Sequence, residues 1–196
     1  MYVKPSNNYK FNKPLFKSEY SNITKSILFS QTDTPLTTND EVIIPICEYT
    51  DIQGVRKFKN TTLQLYSNFF VNNSTSFSTS FPSIIPIPYF LIAVEHSIED
   101  QDLDTDFIIS NKTKYFISTN YNDVNSLSTE ILNRGTLLFQ GLLYNQKTLI
   151  QSTRLSKNLD AGECIYLVLK IPDDPVYANF WIQNIEGTVN YSIKYS

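Results

Sequence analysis

Short apolar runs alternate with polar clusters along most of the chain. From Glu41 onward the clusters are rich in Asn, Ser, Asp, Gly and Pro, and their spacing is typical of β-sandwich strands. The pattern predicts eight strands, near Val42–Tyr49, Arg56–Val71, Ile87–His96, Phe107–Ser118, Gly135–Tyr144, Thr148–Leu155, Glu163–Ile171 and Thr188–Tyr195. Eight strands fit an all-β fold, namely an eight-stranded antiparallel jelly roll, which is a β-sandwich that limits exposed edges.

Two of these strands carry different patterns. In the last strand, apolar side chains alternate with polar ones from Val189 to Tyr195, which predicts one face against a core and one face in water. The run Cys164–Leu169 is apolar on both faces. Such a strand either lies at the centre of a sheet or has one face closed by another subunit, and both explanations stay open.

The first 40 residues show no sustained periodicity. We expect an extended, partly mobile N-terminal arm over residues 1–40, with at most one short strand near Ile23–Phe29, and a jelly-roll domain over residues 41–196. The first 30 residues hold five lysines against Glu19 alone, in a chain of net charge −3. These lysines either contact nucleic acid weakly or belong to a solvated polar leader. They are Lys4, Lys10, Lys13, Lys17 and Lys25.

Composition favours strands over helices. The chain of 196 residues has three Ala but many Ile, Thr, Tyr, Phe and Val, and its 41% hydrophobic and 14% aromatic content is enough to build a core. No apolar run approaches the length of a membrane span, and the N-terminal segment lacks the apolar stretch of a signal peptide. We therefore expect no membrane insertion, and synthesis inside the cell without a signal peptide.

The sequence offers little for catalysis. A single histidine, His96, is too few for metal sites that need two or three imidazoles, and it leaves one candidate for any nucleophile pair. Five glycines in the whole chain disfavour a Gly-rich phosphate loop. We therefore expect a protein that binds and assembles, and not an enzyme.

One acidic segment has a regular spacing, with a carboxylate at every second position. As a strand it would place four like charges on one face, so it is either a solvated loop or a site for a hard cation such as Ca²⁺ at a subunit contact. The candidate ligands are Asp100, Asp102, Asp104 and Asp106. No other cofactor is expected.

The segment Phe81–Pro88 is apolar but interrupted by prolines, which disfavours both a helix and an inner strand. Such a segment either folds over one end of the sandwich or forms a contact between subunits. The candidate contact residues are Phe81, Ile84, Ile85 and Ile87, together with Arg154.

Two segments of the C-terminal half carry a resemblance to a known family. In Arg154–Val168, an Arg-Leu-Ser-x-x-Leu motif leads through a turn at Asp160-Ala161-Gly162 into a long apolar strand, and a closing strand follows at Val189–Tyr195. Both segments resemble the capsid proteins of circular, Rep-encoding single-stranded DNA (CRESS DNA) viruses. A looser similarity extends to Pro88–Val94 and Asn60–Asn68.

This resemblance implies a viral capsid protein that self-assembles into a T=1 icosahedral shell around a single-stranded DNA genome, with its N-terminal arm directed inward. The protein would reside in the virion as a homo-oligomer, and its other partners would be the DNA and a receptor on the host surface. In one respect the chain differs from such proteins, which usually open with an arginine-rich arm.

A binding module of a different class is the alternative. A β-sandwich that binds carbohydrate or serves as an adhesin head would present exposed Tyr side chains and Trp181 as a ligand platform. Such a module predicts a monomer or a small oligomer, whereas a capsid protein predicts closed particles.

Overall fold

The described part of the chain consists of strands and their connections. The computed structural model describes residues 19–30, 41–47, 55–72, 80–82, 85–95, 108–110, 135–171 and 179–195. The strands are β1 (Ser21–Phe29), β2 (Glu41–Cys47), β3 (Arg56–Asn72), β4 (Ser80–Pro82), β5 (Ile87–Glu95), β6 (Ile108–Ser110), β7 (Thr136–Leu143), β8 (Lys147–Leu159), β9 (Glu163–Lys170) and β10 (Asn179–Tyr195). Within these ranges no helix is long and apolar enough to cross a membrane.

The ten strands form two five-stranded antiparallel sheets. In sheet A, β10 lies between β1 and β3, and the far side of β3 pairs with β8 along most of its length and with β4 at its end. Sheet B has the order β6-β2-β9-β5-β7. The described residues therefore confirm the predicted all-β class, as a sandwich-like arrangement of two antiparallel sheets.

The eight longer strands pair in a nested order. The first pairs with the last (β1 with β10), and the same rule joins β2 with β9, β3 with β8, and β5 with β7. The described strands thus form four antiparallel pairs, nested in chain order. The β10–β3 pairing joins two of these pairs into sheet A, and the β9–β5 pairing joins the other two into sheet B.

The core lies between the two sheets. Alternate side chains of β3, including Phe58, Leu63 and Leu65, point into it and share it with Leu167 and Leu169 of β9. All five are almost fully buried. Burial of one such side chain stabilises a fold by about 1.5–3 kcal/mol, so this alternation fixes which face of each strand turns inward.

Sheet B is buried on its other face as well. A second cluster of buried side chains lies there, and Leu137 packs against it. Its members are Ile43, Phe90, Ile92, Val94, Cys164, Tyr166 and Val168. Strand β9 lies between β2 and β5, and both of its faces are buried within a single chain. Of the two explanations for the apolar run Cys164–Leu169, the structure therefore supports the first, a strand at the centre of a sheet.

The predicted strands agree with the observed strands in position, but less well in length. All eight overlap a described strand, but β10 begins at Asn179, well before the predicted Thr188. A register shift between Ile182 and Asn184 explains this difference. The shift turns both Ile182 and Ile185 inward, so the period-two pattern is lost over this part of the strand.

Strand β1 lies within the segment assigned to the arm. It pairs with β10 along its whole length, from Ser21 opposite Ile193 to Phe29 opposite Ile185. This part of the segment is therefore integral to sheet A. The rest of the predicted arm, apart from residues 19, 20 and 30, lies outside the described residues.

The prediction that no part of Phe81–Pro88 belongs to an inner strand is wrong for its last two residues. Ile87 and Pro88 are the first residues of β5, which is an inner strand of sheet B, although the prolines disfavoured this placement. Pro88 faces Leu142 of β7, while the pairing with β9 begins only at Tyr89. The proline thus lies at the strand start, where a missing N–H is tolerated.

A turn joins β8 to β9 at Asp160-Ala161-Gly162, where the sequence predicts one. Gly162 has φ +82°, a conformation that side chains disfavour. The main-chain N–H of Glu163 donates to the carbonyl of Asp160 at 3.1 Å, and the N–H of Asp160 donates to Glu163 Oε2 at 2.7 Å. Lys157 Nζ lies 3.1 Å from Glu163 Oε1. This turn carries the chain from sheet A to sheet B.

Candidate functional site

The face of sheet A that points away from sheet B is the main polar surface of the described residues. Along β3, Leu63 and Leu65 point inward, so Thr62, Gln64 and Tyr66 point outward. The pairing of β3 with its neighbours places their outward residues in rows with these. We call this surface the outer face of sheet A.

A row of small polar side chains crosses the middle of this face. Thr24, Asn190, Thr62 and Ser152 lie directly opposite one another on β1, β10, β3 and β8. Thr24 Oγ1 donates to Asn190 Oδ1 at 2.5 Å, and the hydroxyls of Thr62 and Ser152 are 3.0 Å apart. These hydrogen bonds hold the polar side chains in fixed positions across the sheet.

Three lysines lie at the end of the face where β1 begins. Lys194 of β10 is directly opposite Lys57 of β3, and Lys59 lies on the same side of β3. We call Lys57, Lys59 and Lys194 the lysine cluster. The ion pairs between described residues are Lys157–Glu163 and Lys170–Glu41, and neither involves this cluster. Because like charges directly opposite in a sheet are destabilising, this arrangement has an energetic cost.

The ring of Tyr20 lies against this cluster. Lys59 Nζ is 3.5 Å from the ring centroid, and Lys194 Nζ is 5.9 Å from it. Both distances are within the range of a cation–π interaction. Tyr20 immediately precedes β1, so the chain enters sheet A beside the lysine cluster.

The opposite end of the face has a different chemistry. A shallow depression of about 460 Å³ lies there, and Glu186 is the charged residue of its lining. The other lining residues are Ile27, Leu28, Gln64, Tyr66, Thr148, Gly187 and Thr188. Glu186 and Lys194 are eight residues apart on β10, about 27 Å at ~3.4 Å per residue. The outer face of sheet A is therefore basic at one end and acidic at the other.

Exposed apolar side chains concentrate on the two edge strands of sheet A. Leu28 and Ile23 of β1 are 69% and 36% exposed, and Ile150 and Leu155 of β8 are 68% and 54% exposed. Among the described residues, Tyr144 and Tyr195 complete the set of exposed large hydrophobic side chains. Both outer strands of this sheet thus present apolar groups to solvent.

The predicted contact residues have different environments. Ile87 is fully buried in the core between the sheets, so its side chain cannot reach another subunit, and we remove it from that set. Ile85 is half-buried, and Arg154 is exposed on β8. Phe81 belongs to β4, but its side chain and all of Ile84 lie outside the described residues.

The predicted nucleic-acid and metal residues fall mostly outside the described ranges. Lys25 is half-buried in β1, and the other arm lysines are not among the described residues; nor are Asp100, Asp102, Asp104 and Asp106. Within the described part, no group of three or more His, Cys, Asp or Glu side chains is placed to hold a metal ion.

The buried side chain of Arg56 has hydrogen-bond partners in sheet B. Arg56 of β3 is 3% exposed; its Nη2 donates to the main-chain carbonyl of Glu163 at 2.5 Å, and its Nη1 donates to Cys47 Sγ at 3.7 Å. It thereby links sheet A to sheet B.

Burial raises the pKa of Cys164 to about 12, so this thiol stays protonated near neutral pH and is a poor nucleophile.

Trp181 does not form the exposed platform that a sugar-binding module would use. Its ring is half-buried and stacks on Phe70, with centroids 6.3 Å apart and planes 7° from parallel. The aromatic ring that borders a depression on the outer face of sheet A is instead Tyr66.

Sequence reasoning missed the lysine cluster. A local signal was present, since Lys57 and Lys59 flank the inward Phe58 and so share one face of a strand. Their position beside Lys194 depends on the pairing of β3 with β10, which the local pattern does not contain. No protein-family model matches the chain, and no curated protein matches it significantly.

Proposed function

We propose that this protein is a viral capsid protein, a jelly-roll subunit that self-assembles into a small T=1 icosahedral shell around a single-stranded DNA genome. The observation that carries the proposal is the concentration of exposed apolar side chains on the two edge strands of sheet A, β1 and β8. Proteins that stay monomeric usually protect such edges with charge, proline or a covering segment. Apolar groups on an open edge favour contact with another chain.

The two edges also differ from each other. Leu28 and Ile23 lie on β1, whereas Ile150 and Leu155 lie on β8, at opposite sides of the sheet. Contacts between two different surfaces of identical subunits are heterologous, and they generate closed rings and shells when the rotation between subunits closes. A pair of unlike apolar edges therefore favours a closed assembly over an isolated dimer.

The nested pairing supports a jelly-roll subunit. Eight strands that pair first with last and inward from there, and that divide into two sheets, follow the course of a ribbon wound into a double-sheet sandwich. Viral capsid proteins, lectin domains and cupins share that architecture. A cupin-like metal site needs several histidines, and the chain has one.

A carbohydrate-binding module is the second candidate, because of the depression at the acidic end of sheet A. Tyr66 supplies an aromatic ring there, and Gln64, Thr148 and Glu186 supply hydrogen-bonding groups. This candidate predicts a monomer or a small oligomer that binds neutral oligosaccharides, with loss of binding in Tyr66→Ala.

Charge on the β8 edge tests the capsid proposal. We expect the double variant Ile150→Asp/Leu155→Asp to remain folded, because both positions are more than half exposed in the single chain. In a contact between subunits, each new carboxylate would be desolvated without a partner, at a cost of several kcal/mol. Sedimentation velocity and negative-stain microscopy should show particles for the wild type and monomers for the double variant.

The matched control is Thr136→Asp, an exposed polar position at the start of β7 in sheet B. It adds a charge to the surface without touching the edges of sheet A, so particles should form as in the wild type. Particles of wild-type size from the double variant would show that the β8 edge is not a subunit contact.

A further inference from the structure

We infer that the lysine cluster at the start of sheet A, with the ring of Tyr20, binds the sugar-phosphate backbone and bases of single-stranded nucleic acid. The inference rests on the proposed function, which requires the shell to hold a single-stranded genome. It names a contact on the folded domain, in addition to any contact that the N-terminal arm makes.

The lysine cluster concentrates positive charge on one part of sheet A. Lys57 and Lys194 lie directly opposite each other, and Lys59 shares their face, so three ammonium groups are gathered where the described carboxylates form no ion pair with them. A fold gains nothing from such repulsion. A phosphate backbone supplies the missing negative charge, and its binding releases condensed counterions.

The cluster includes an aromatic ring, that of Tyr20. Its centroid is 3.5 Å from Lys59 Nζ and 5.9 Å from Lys194 Nζ. Basic grooves with aromatic side chains are the usual means of binding single strands, because unpaired bases stack on the rings while the phosphates meet the lysines.

The chain enters sheet A beside the lysine cluster. The residues that precede β1 carry Lys4, Lys10, Lys13 and Lys17, and Lys17 is three residues before Tyr20. The arm therefore joins the domain at the lysine cluster. We therefore expect a nucleic-acid strand that contacts the lysines preceding β1 to continue onto the cluster. The acidic end of the face, at Glu186, lies too far away to weaken it.

The experiment measures the affinity of the full chain for a labelled oligothymidylate over a range of salt concentrations. The main variant is Lys57→Gln/Lys59→Gln/Lys194→Gln, and its control is Lys147→Gln, an exposed lysine at the start of β8. Three lost phosphate contacts should reduce the log–log salt slope by about 2, whereas the control should leave it within about 0.7 of the wild type.

Tyr20→Ala and Tyr20→Phe separate stacking from charge. The loss of one stacked base should weaken binding by roughly tenfold for Tyr20→Ala, with an unchanged salt slope, and Tyr20→Phe should bind as the wild type does. The triple lysine variant should melt at the same temperature as the wild type or higher, because it relieves repulsion between like charges.

Particle formation is measured on the same samples. Particles with an unchanged affinity and salt slope in the triple variant would overturn the inference and leave the capsid proposal intact. Competition by heparin or by phosphatidylserine vesicles that exceeds competition by oligothymidylate would overturn the choice of partner. The absence of particles from the wild type would contradict the proposed function itself, whatever the DNA affinity.

Discussion

Sheets A and B have the same number of strands but bury different numbers of faces. Sheet B packs against sheet A on one side and is also buried on the other, where Phe90, Tyr166 and Val168 are almost inaccessible. Sheet A buries its inner face alone, and its outer face carries hydroxyls, amides and three lysines. Sheet B is thus the more deeply buried sheet, whereas sheet A carries the surface that we propose for recognition, so substitutions in the two should have different consequences.

Truncation of the outer face of sheet B should have the largest effect. Phe90→Ala removes a side chain that is 1% exposed and leaves a cavity, which should lower the free energy of unfolding by about 3–5 kcal/mol. Leu155→Ala, on the edge of sheet A, removes a side chain that is 54% exposed and should cost less than about 1 kcal/mol. Urea unfolding of dissociated subunits measures both; equal losses would break the contrast between the sheets.

The two ion pairs between described residues extend the comparison. Lys170 and Glu41 are 3.5 Å apart in sheet B with side chains 8% and 0% exposed, whereas Lys157 and Glu163 are 3.1 Å apart with side chains 25% and 14% exposed. Lys170→Met leaves a buried carboxylate without this partner and should cost about 3 kcal/mol. Lys157→Met should cost at most about 1 kcal/mol.

Unfolding midpoints of the two lysine variants provide the measurement. A cost for Lys157→Met that matches or exceeds the cost for Lys170→Met would show that burial does not set the importance of these pairs.

Alkaline pH should act on the buried acids of sheet B. Burial raises the pKa of Cys164 from 9.0 to about 12, and burial raises the pKa of Tyr89 from 10.0 to about 12. The unfolded chain loses these protons at lower pH than the folded chain. The contribution of these two protonated groups to the free energy of unfolding is therefore fully present below pH 9, and it is lost as the pH rises toward 12.

The difference between the wild type and Cys164→Ala isolates the thiol. The free energy of unfolding of the variant should fall less steeply between pH 9 and pH 12, because one of the two groups is gone. Parallel pH profiles for the two proteins would contradict the assignment of a raised pKa to Cys164.

The turn that joins the sheets should show a smaller effect than the buried residues of sheet B. Gly162 has φ +82°, and a Cβ atom at this position would meet no atom within 4 Å. Gly162→Ala should therefore cost only the backbone strain, about 1–2 kcal/mol, as measured by thermal unfolding. An unchanged or higher melting temperature would mean that the turn adopts another conformation.

Sequence patterns predicted the strands where burial imposes a simple period. From Val189 to Ile193 the alternation is regular, and this part of β10 was predicted, whereas the register shift after Ile182 hid the first half of the strand. Strand β1 gave a weak signal, because only Ile27 and Phe29 of its nine residues are buried. An alternating sequence pattern arises only where one face of a strand is apolar along its whole length. The pattern therefore predicted a strand only in such segments.

The candidate site depends on contacts that no local pattern contains. Lys57 and Lys194 are far apart in sequence, and only the antiparallel register of β3 and β10 places them opposite each other. Ile87 was assigned to a contact between subunits because prolines flank it. Its side chain instead points into the core, as do those of Tyr89 and Leu91 on the same face of β5. This orientation depends on the pairing of β5 with β9 and β7, which the local sequence does not show.

The mass of the purified wild-type protein tests the central claim most directly. Sedimentation velocity with negative-stain microscopy should give one discrete species far heavier than the 22.6 kDa chain, seen as closed particles of uniform diameter. A protein that stays monomeric at high concentration, over a broad range of salt and pH and with no particles by microscopy, would contradict the capsid proposal and favour the carbohydrate-binding module.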